Sequence, residues 1–137
     1  NDILTGGTGS GPDTTTDVFK WSFGDQGTTD TPAADVIKDF NLAPVSLGGD
    51  VLDLHDLLTG ESSTDLTQYL HFADVGGKAV LEINHSGGTP AATHDQTITF
   101  DNFTSVAALV TELGAASSSD ADIIAMMIAH GNLKTDV

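Results

Sequence analysis

Gly6-Gly7-Thr8-Gly9, with Asp2 before it and Asp17 beyond it, is the stretch whose residue types and spacing offer chemistry. Glycine permits a tight turn and close backbone approach, which leaves peptide carbonyls free to face a cation. Aspartate adds carboxylate oxygens. Such a turn presents hard oxygen ligands, and calcium is the ion that takes six to eight of them. The underlying unit is Gly-Gly-x-Gly-x-Asp-x-apolar-x, in which the apolar residue two positions after the aspartate points inward. Residues 1–4 read as the tail of one unit and Gly6 onward as the head of the next. The second unit is interrupted by Gly11-Pro12-Asp13-Thr14-Thr15-Thr16, a run of turn formers. Either Asp13 or Asp17 takes the ligand role. Asp17 is favoured, because Phe19 then falls at the apolar position, with Trp21 and Phe23 following at strand alternation.

The Asp-x-apolar unit recurs at Asp2, Asp17, Asp35 and Asp50, at intervals of 15, 18 and 15 residues. Each interval is close to two nine-residue repeats, the length of one full coil. Asp35, Asp39, Asp50 and Asp53 therefore have two readings: a solvated acidic face, or a second calcium site where they converge.

The elements that must position these residues follow from periodicity. Asp35 to Phe40 reads as a short strand, and Asp50 to Leu58 starts extended and ends in a helical turn before Gly60. Tyr69–Val75, Lys78–Asn84 and Gln96–Phe103 read as antiparallel strands, with Gly76-Gly77 as a two-residue hairpin turn. Val106, Leu109, Val110 and Leu113 stand at i, i+3, i+4, i+7, an amphipathic helix opened by Thr104 or Ser105 and stopped by Gly114. Ser119 opens a second helix, apolar around most of its girth, that Gly131 ends. The fold class expected is mainly β, a β-rich α+β domain. It would be the end of a parallel calcium β-roll followed by antiparallel strands and two C-terminal helices.

Composition narrows the function. The 137 residues suit a single domain. Twenty acidic residues against four basic ones give a net charge of −16, which argues against nucleic acid or an anionic membrane as partner. Unneutralised, that charge also opposes compaction, so folding is expected to depend on bound cation. No cysteine is present, and metal is the usual staple for a secreted domain without disulfides. No apolar run approaches the ~20 residues of a membrane span. Because the chain opens inside a repeat, it reads as a piece of a longer protein. His55, His71, His85, His94 and His130 lack metal-ligand spacing, and no nucleophile motif appears, so no enzyme is expected. The rival is a calcium-dependent carbohydrate or surface-ligand module, with the loop His85–Asp95 and the aromatics Trp21, Tyr69 and Phe72 lining a site.

Residues 1–58 resemble the end of a repeats-in-toxin (RTX) β-roll, a layout that also closes the C-terminal roll of secreted serralysin-type metalloproteases. The carriers are the glycine turn and the pair Asp35-x-Ile37-x-Asp39-Phe40 and Asp50-Val51-Leu52-Asp53-Leu54. Residues 59–137 resemble the C-terminal type I secretion target domain of giant bacterial RTX adhesins. The resemblance implies an uncleaved secretion signal read by a type I apparatus: an ABC transporter, a membrane fusion protein and an outer-membrane channel. It implies a monomeric domain, not inserted in a membrane, that leaves a Gram-negative cell unfolded and folds on calcium at the cell surface or in the medium. It further implies that carbonyls of Gly6 and Thr8, or of Gly7 and Gly9, join the Asp2 and Asp17 carboxylates around calcium.

Overall fold

The computed structural model describes residues 1–7, 13–61 and 65–136. Its strands are β1 (Ile3–Leu4), β2 (Val18–Ser22), β3 (Ala33–Ile37), β4 (Val51–Asp56), β5 (Leu70–Val75), β6 (Lys78–Ile83), β7 (Gln96–Phe100) and β8 (Leu133–Lys134). Between β7 and β8 come two helices, α1 (Val106–Leu113) and α2 (Asp120–His130). One sheet has the order β1-β3-β7-β6-β5 and the other β2-β4-β8, so the fold is a β-rich mixture of strand and helix. Both sheets run across residue 58.

The first four strands alternate between the sheets and pair in parallel, β1 with β3 and β2 with β4. Ile3 stands opposite Val36 and Val18 opposite Val51, an offset of 33 residues in both sheets. This corrects the expected coil length. Each interval of 15 or 18 residues carries the chain from one sheet to the other, and one of each brings it back to the first. The path then reaches a third layer. β7 lies parallel to β3, and β8 lies parallel to β4. β7 is thus not purely antiparallel as expected: it is parallel on its β3 side and antiparallel to β6 on the other.

Inward side chains fill the space between the sheets. Phe19, Phe40 and Phe100 supply one ring per layer, with centroids 5.9 Å and 5.4 Å apart along the row, the tilted and edge-on spacings that aromatic pairs favour. Trp21 is buried beside them and its Nε1 donates to Asp35 Oδ2 at 2.7 Å. Gly76 and Gly77 both have positive φ (59° and 76°) in the hairpin turn between β5 and β6, the conformation that matches strand twist.

Helix ends follow the sequence closely. Ser105 Oγ accepts from Ala108 N and Ser119 Oγ from Asp122 N, while Gly114 and Gly131 close the C-termini in left-handed conformations. α1 packs on β5 and β6, and α2 on β5 and β8. β5 is an edge strand, and the helices take up one of its outward amides and one of its side chains. Asp120 Oδ1 accepts from Phe72 N at 2.9 Å, and Asp74 Oδ1 accepts the first amide of α1, Val106 N, at 2.6 Å. The edge is thereby covered rather than left open for pairing.

Candidate metal centre

β1 delivers Gly6 and Gly7 to one corner of the coil, and the parallel strand β3 delivers Asp39 to the same corner. Asp39 Oδ1 accepts from Gly6 N at 2.9 Å and Oδ2 from Gly7 N at 2.8 Å. Asp17 stands just before β2 and Asp50 just before β4. Asp50 Oδ1 accepts from Asp17 N at 3.0 Å, and Oδ2 from Asn41 N at 2.8 Å. Carboxylates of one layer thus hold amides of the layer before it.

The glycines admit two further carboxylates. A Cβ on Gly6 would collide with the Asp17 carboxylate. A Cβ on Gly7 would lie 3.2 Å from Asp13 Oδ2 and 3.3 Å from Asp39 Oδ2, so those oxygens are no farther apart than the sum of the two distances. Asp13 and Asp17, alternatives in the sequence, are both at the turn. The corner therefore gathers Asp13, Asp17 and Asp39 on Gly6-Gly7, with Asp50 behind them.

No lysine reaches this cluster to neutralise it: Lys20 pairs with Asp56, Lys38 and Lys78 with Asp101, and Lys134 with Asp53. The local field is visible at Asp50. Burial pushes its carboxyl above the ordinary 3.8, two backbone amides pull it back, and the charges of Asp17 and Asp39 push it up again.

The residues fit calcium in kind: hard carboxylate oxygens around a turn whose missing Cβ atoms clear the approach. Among the described residues, no three His, Asp or Glu side chains already form a metal cage. A cation would have to draw the corner together. Thr8 and Gly9, expected as ligands, lie outside the described residues.

The other expected ligands lie elsewhere. Asp2 and Asp35 are at the opposite end of β1. Asp35 is buried, and it accepts from Asp2 N (2.7 Å), Trp21 Nε1 and Gln96 Nε2 (2.9 Å). With Lys20 and Asp25 they border a recess of about 220 Å³. Asp53, on β4, faces His55 Nδ1 at 2.6 Å and Lys134 Nζ at 3.1 Å. Burial raises its carboxyl, but the His55 and Lys134 hydrogen bonds outweigh that and hold it below the ordinary value. Asp39 and Asp50 thus share the corner, whereas Asp35 and Asp53 are engaged with donors of their own.

Sequence reasoning missed Asn41 and Asn132. Asn41 Nδ2 donates to Asp13 O at 2.8 Å, and Asn132 Nδ2 to Asp50 O at 2.9 Å. A signal existed for the second: Gly131-Asn132-Leu133 repeats the Gly49-Asp50-Val51 pattern. The aromatics of the rival binding site, Trp21, Tyr69 and Phe72, are 4%, 7% and 5% exposed and belong to the core. Among the described residues, no helix is long and apolar enough to cross a membrane. Comparison of the chain with protein-family models, curated proteins and solved structures finds no match.

Proposed function

We propose that this chain is the calcium-binding C-terminal domain of a large secreted RTX adhesin, non-catalytic and monomeric, which folds on calcium outside a Gram-negative cell. The observation that carries this reading is the gathering of Asp13, Asp17 and Asp39 on the Gly6-Gly7 turn with every lysine paired elsewhere. Parallel strands that alternate between two sheets support the finer reading, a shortened β-roll with 33-residue coils. In this reading residues 1–58 are the roll, and residues 59–137 carry the uncleaved signal that engages the ABC transporter, membrane fusion protein and outer-membrane channel.

The chain's own residues do the work of a folding switch. Gly6 and Gly7 keep the turn open, Asp39 holds their amides, and Asp13 and Asp17 bring charge that repels itself until a cation arrives. Calcium supplies that positive charge. Its binding free energy then becomes folding free energy. Where calcium is scarce the acidic chain stays extended and threadable.

Far-ultraviolet circular dichroism and a thermal melt, in chelator and then in millimolar calcium, test this directly. A large gain in structure and melting temperature with calcium, and little with magnesium, is the expected result. The same spectrum and melting temperature in both conditions would overturn it.

A further inference from the structure

Asn132, between α2 and β8, is fully buried although it lies four residues from the end of the described chain. Its Nδ2 donates to Ala43 O and to Asp50 O, both at 2.9 Å, and its own carbonyl accepts from Leu52 N at 2.7 Å. Asp50 in turn holds Asp17 N in the first layer and Asn41 N in its own. Asn41 Nδ2 reaches back to Asp13 O, and the Asp13 carboxylate borders Gly7. An unbroken series of hydrogen bonds therefore joins the glycine turn to the last strand: Asp13, Asn41, Asp50, Asn132.

We propose that calcium at the Gly6-Gly7 corner and the seating of β8 are one coupled equilibrium, with Asn132 as the positioning residue that joins them. The inference rests on the calcium reading above. In the seated state the Asn132 amide is inserted between Ala43 and Asp50, and Leu133 and Lys134 extend the three-stranded sheet. In the unseated state the Asn132 amide and the Leu52 N–H face water. Calcium favours the seated state because it fixes Asp13 and Asp17, whose main-chain groups are held by Asn41 and Asp50.

A second observation bears on how firmly the tail is seated. Among the described residues, Asn132 Oδ1 and His130 Nδ1 are buried and find no hydrogen-bond partner. Unmet polar groups weigh against the seated state. β8 itself contributes a ladder of two residues. With so short a ladder, its seating leans on the Asn132 hydrogen bonds and the Lys134–Asp53 pair. By linkage, the factor by which calcium favours the seated strand equals the factor by which the seated strand raises calcium affinity.

The test uses the full chain, with calcium alone as the ligand. Amide hydrogen exchange is followed by NMR at Leu52, whose N–H bonds Asn132, and at Ala79, in the five-stranded sheet and outside that series, whose N–H bonds Phe103 O. Titration calorimetry gives calcium affinity for the wild type and Asn132→Ala. Once enough calcium is present to fold the wild type, further calcium slows Leu52 exchange about tenfold more than Ala79 exchange. Asn132→Ala binds calcium about tenfold more weakly and loses the extra protection at Leu52. Calcium binding with equal effects at Leu52 and Ala79, or unchanged affinity in Asn132→Ala, overturns the coupling and leaves the calcium reading standing. No calcium binding by the wild type overturns both. Should Asn132→Ala fail to fold, the wild-type comparison of the two amides decides alone.

Discussion

The coil corner and the helix-covered end of the five-stranded sheet are both built on aspartates, and they treat the carboxylate in opposite ways. At the helix end each carboxylate has its own donor. Asp74 takes the first amide of α1, Asp120 takes Phe72 N and faces His71 Nδ1 at 2.7 Å, and Asp101 takes two lysines. At the corner Asp13, Asp17, Asp39 and Asp50 crowd one turn, where Asp13, Asp39 and Asp50 accept from backbone amides and every lysine is paired elsewhere. The first arrangement is complete as it stands. The second accumulates like charge, and its stability must vary with what the solution supplies.

Four experiments break or sharpen that contrast. The largest effect is expected from Asp17→Ala, which removes a carboxylate from the turn. The calcium midpoint of folding should rise about tenfold or more, as for loss of one charged contact of ~1.5–3 kcal/mol. An unchanged midpoint would remove Asp17 from the site. Asp120→Ala strips Phe72 N of its acceptor and should cost about 1–3 kcal/mol in urea melts. That cost should be equal at the lowest calcium that folds the chain and at saturating calcium; a calcium-dependent cost would erase the distinction between the two regions. Ser105→Ala removes the cap of α1, and its loss of about 1 kcal/mol should likewise ignore calcium.

The smallest effect is a pH dependence. Asp50 has its folded carboxyl raised, so the native state binds more protons than the unfolded chain just above 3.8. Its contribution is fully present below the unfolded value and is lost as pH rises through the folded one. Asp53 runs the other way: lowered when folded, it contributes above 3.8 and is lost as pH falls through its folded value. In chelator, with an osmolyte to hold the chain folded, carboxyl NMR should therefore find Asp50 titrating above 3.8 and Asp53 below it. Calcium should bring Asp50 down by offsetting Asp17 and Asp39. An Asp50 resonance indifferent to calcium would place the cation elsewhere.

Local signals made the helical end legible. Ser105, Ser119, Gly114, Gly131 and the Gly76-Gly77 turn each satisfy a backbone requirement within a few residues, and sequence shows such requirements directly. The coil was less legible, because its period is a property of pairing. Asp2, Asp17, Asp35 and Asp50 recur at 15 and 18 residues, yet the partners are Asp2 with Asp35 and Asp17 with Asp50. Spacing alone did not say whether an interval was a whole coil or half of one. Nor did it say which end of a strand each carboxylate would occupy, so Asp35 and Asp53 were grouped with Asp39 and Asp50. β8 was invisible because a two-residue strand has no periodicity to read.

The 33-residue offset also has a mechanical meaning. Parallel strands locked layer upon layer load their ladders in series when the chain is pulled from the Asn1 end. The first layer must let go before the second bears the force. The first layer, on letting go, frees roughly 33 residues, about 110 Å of extended chain. A tethered molecule of this construction lengthens in steps rather than smoothly, and dissipates work at each one.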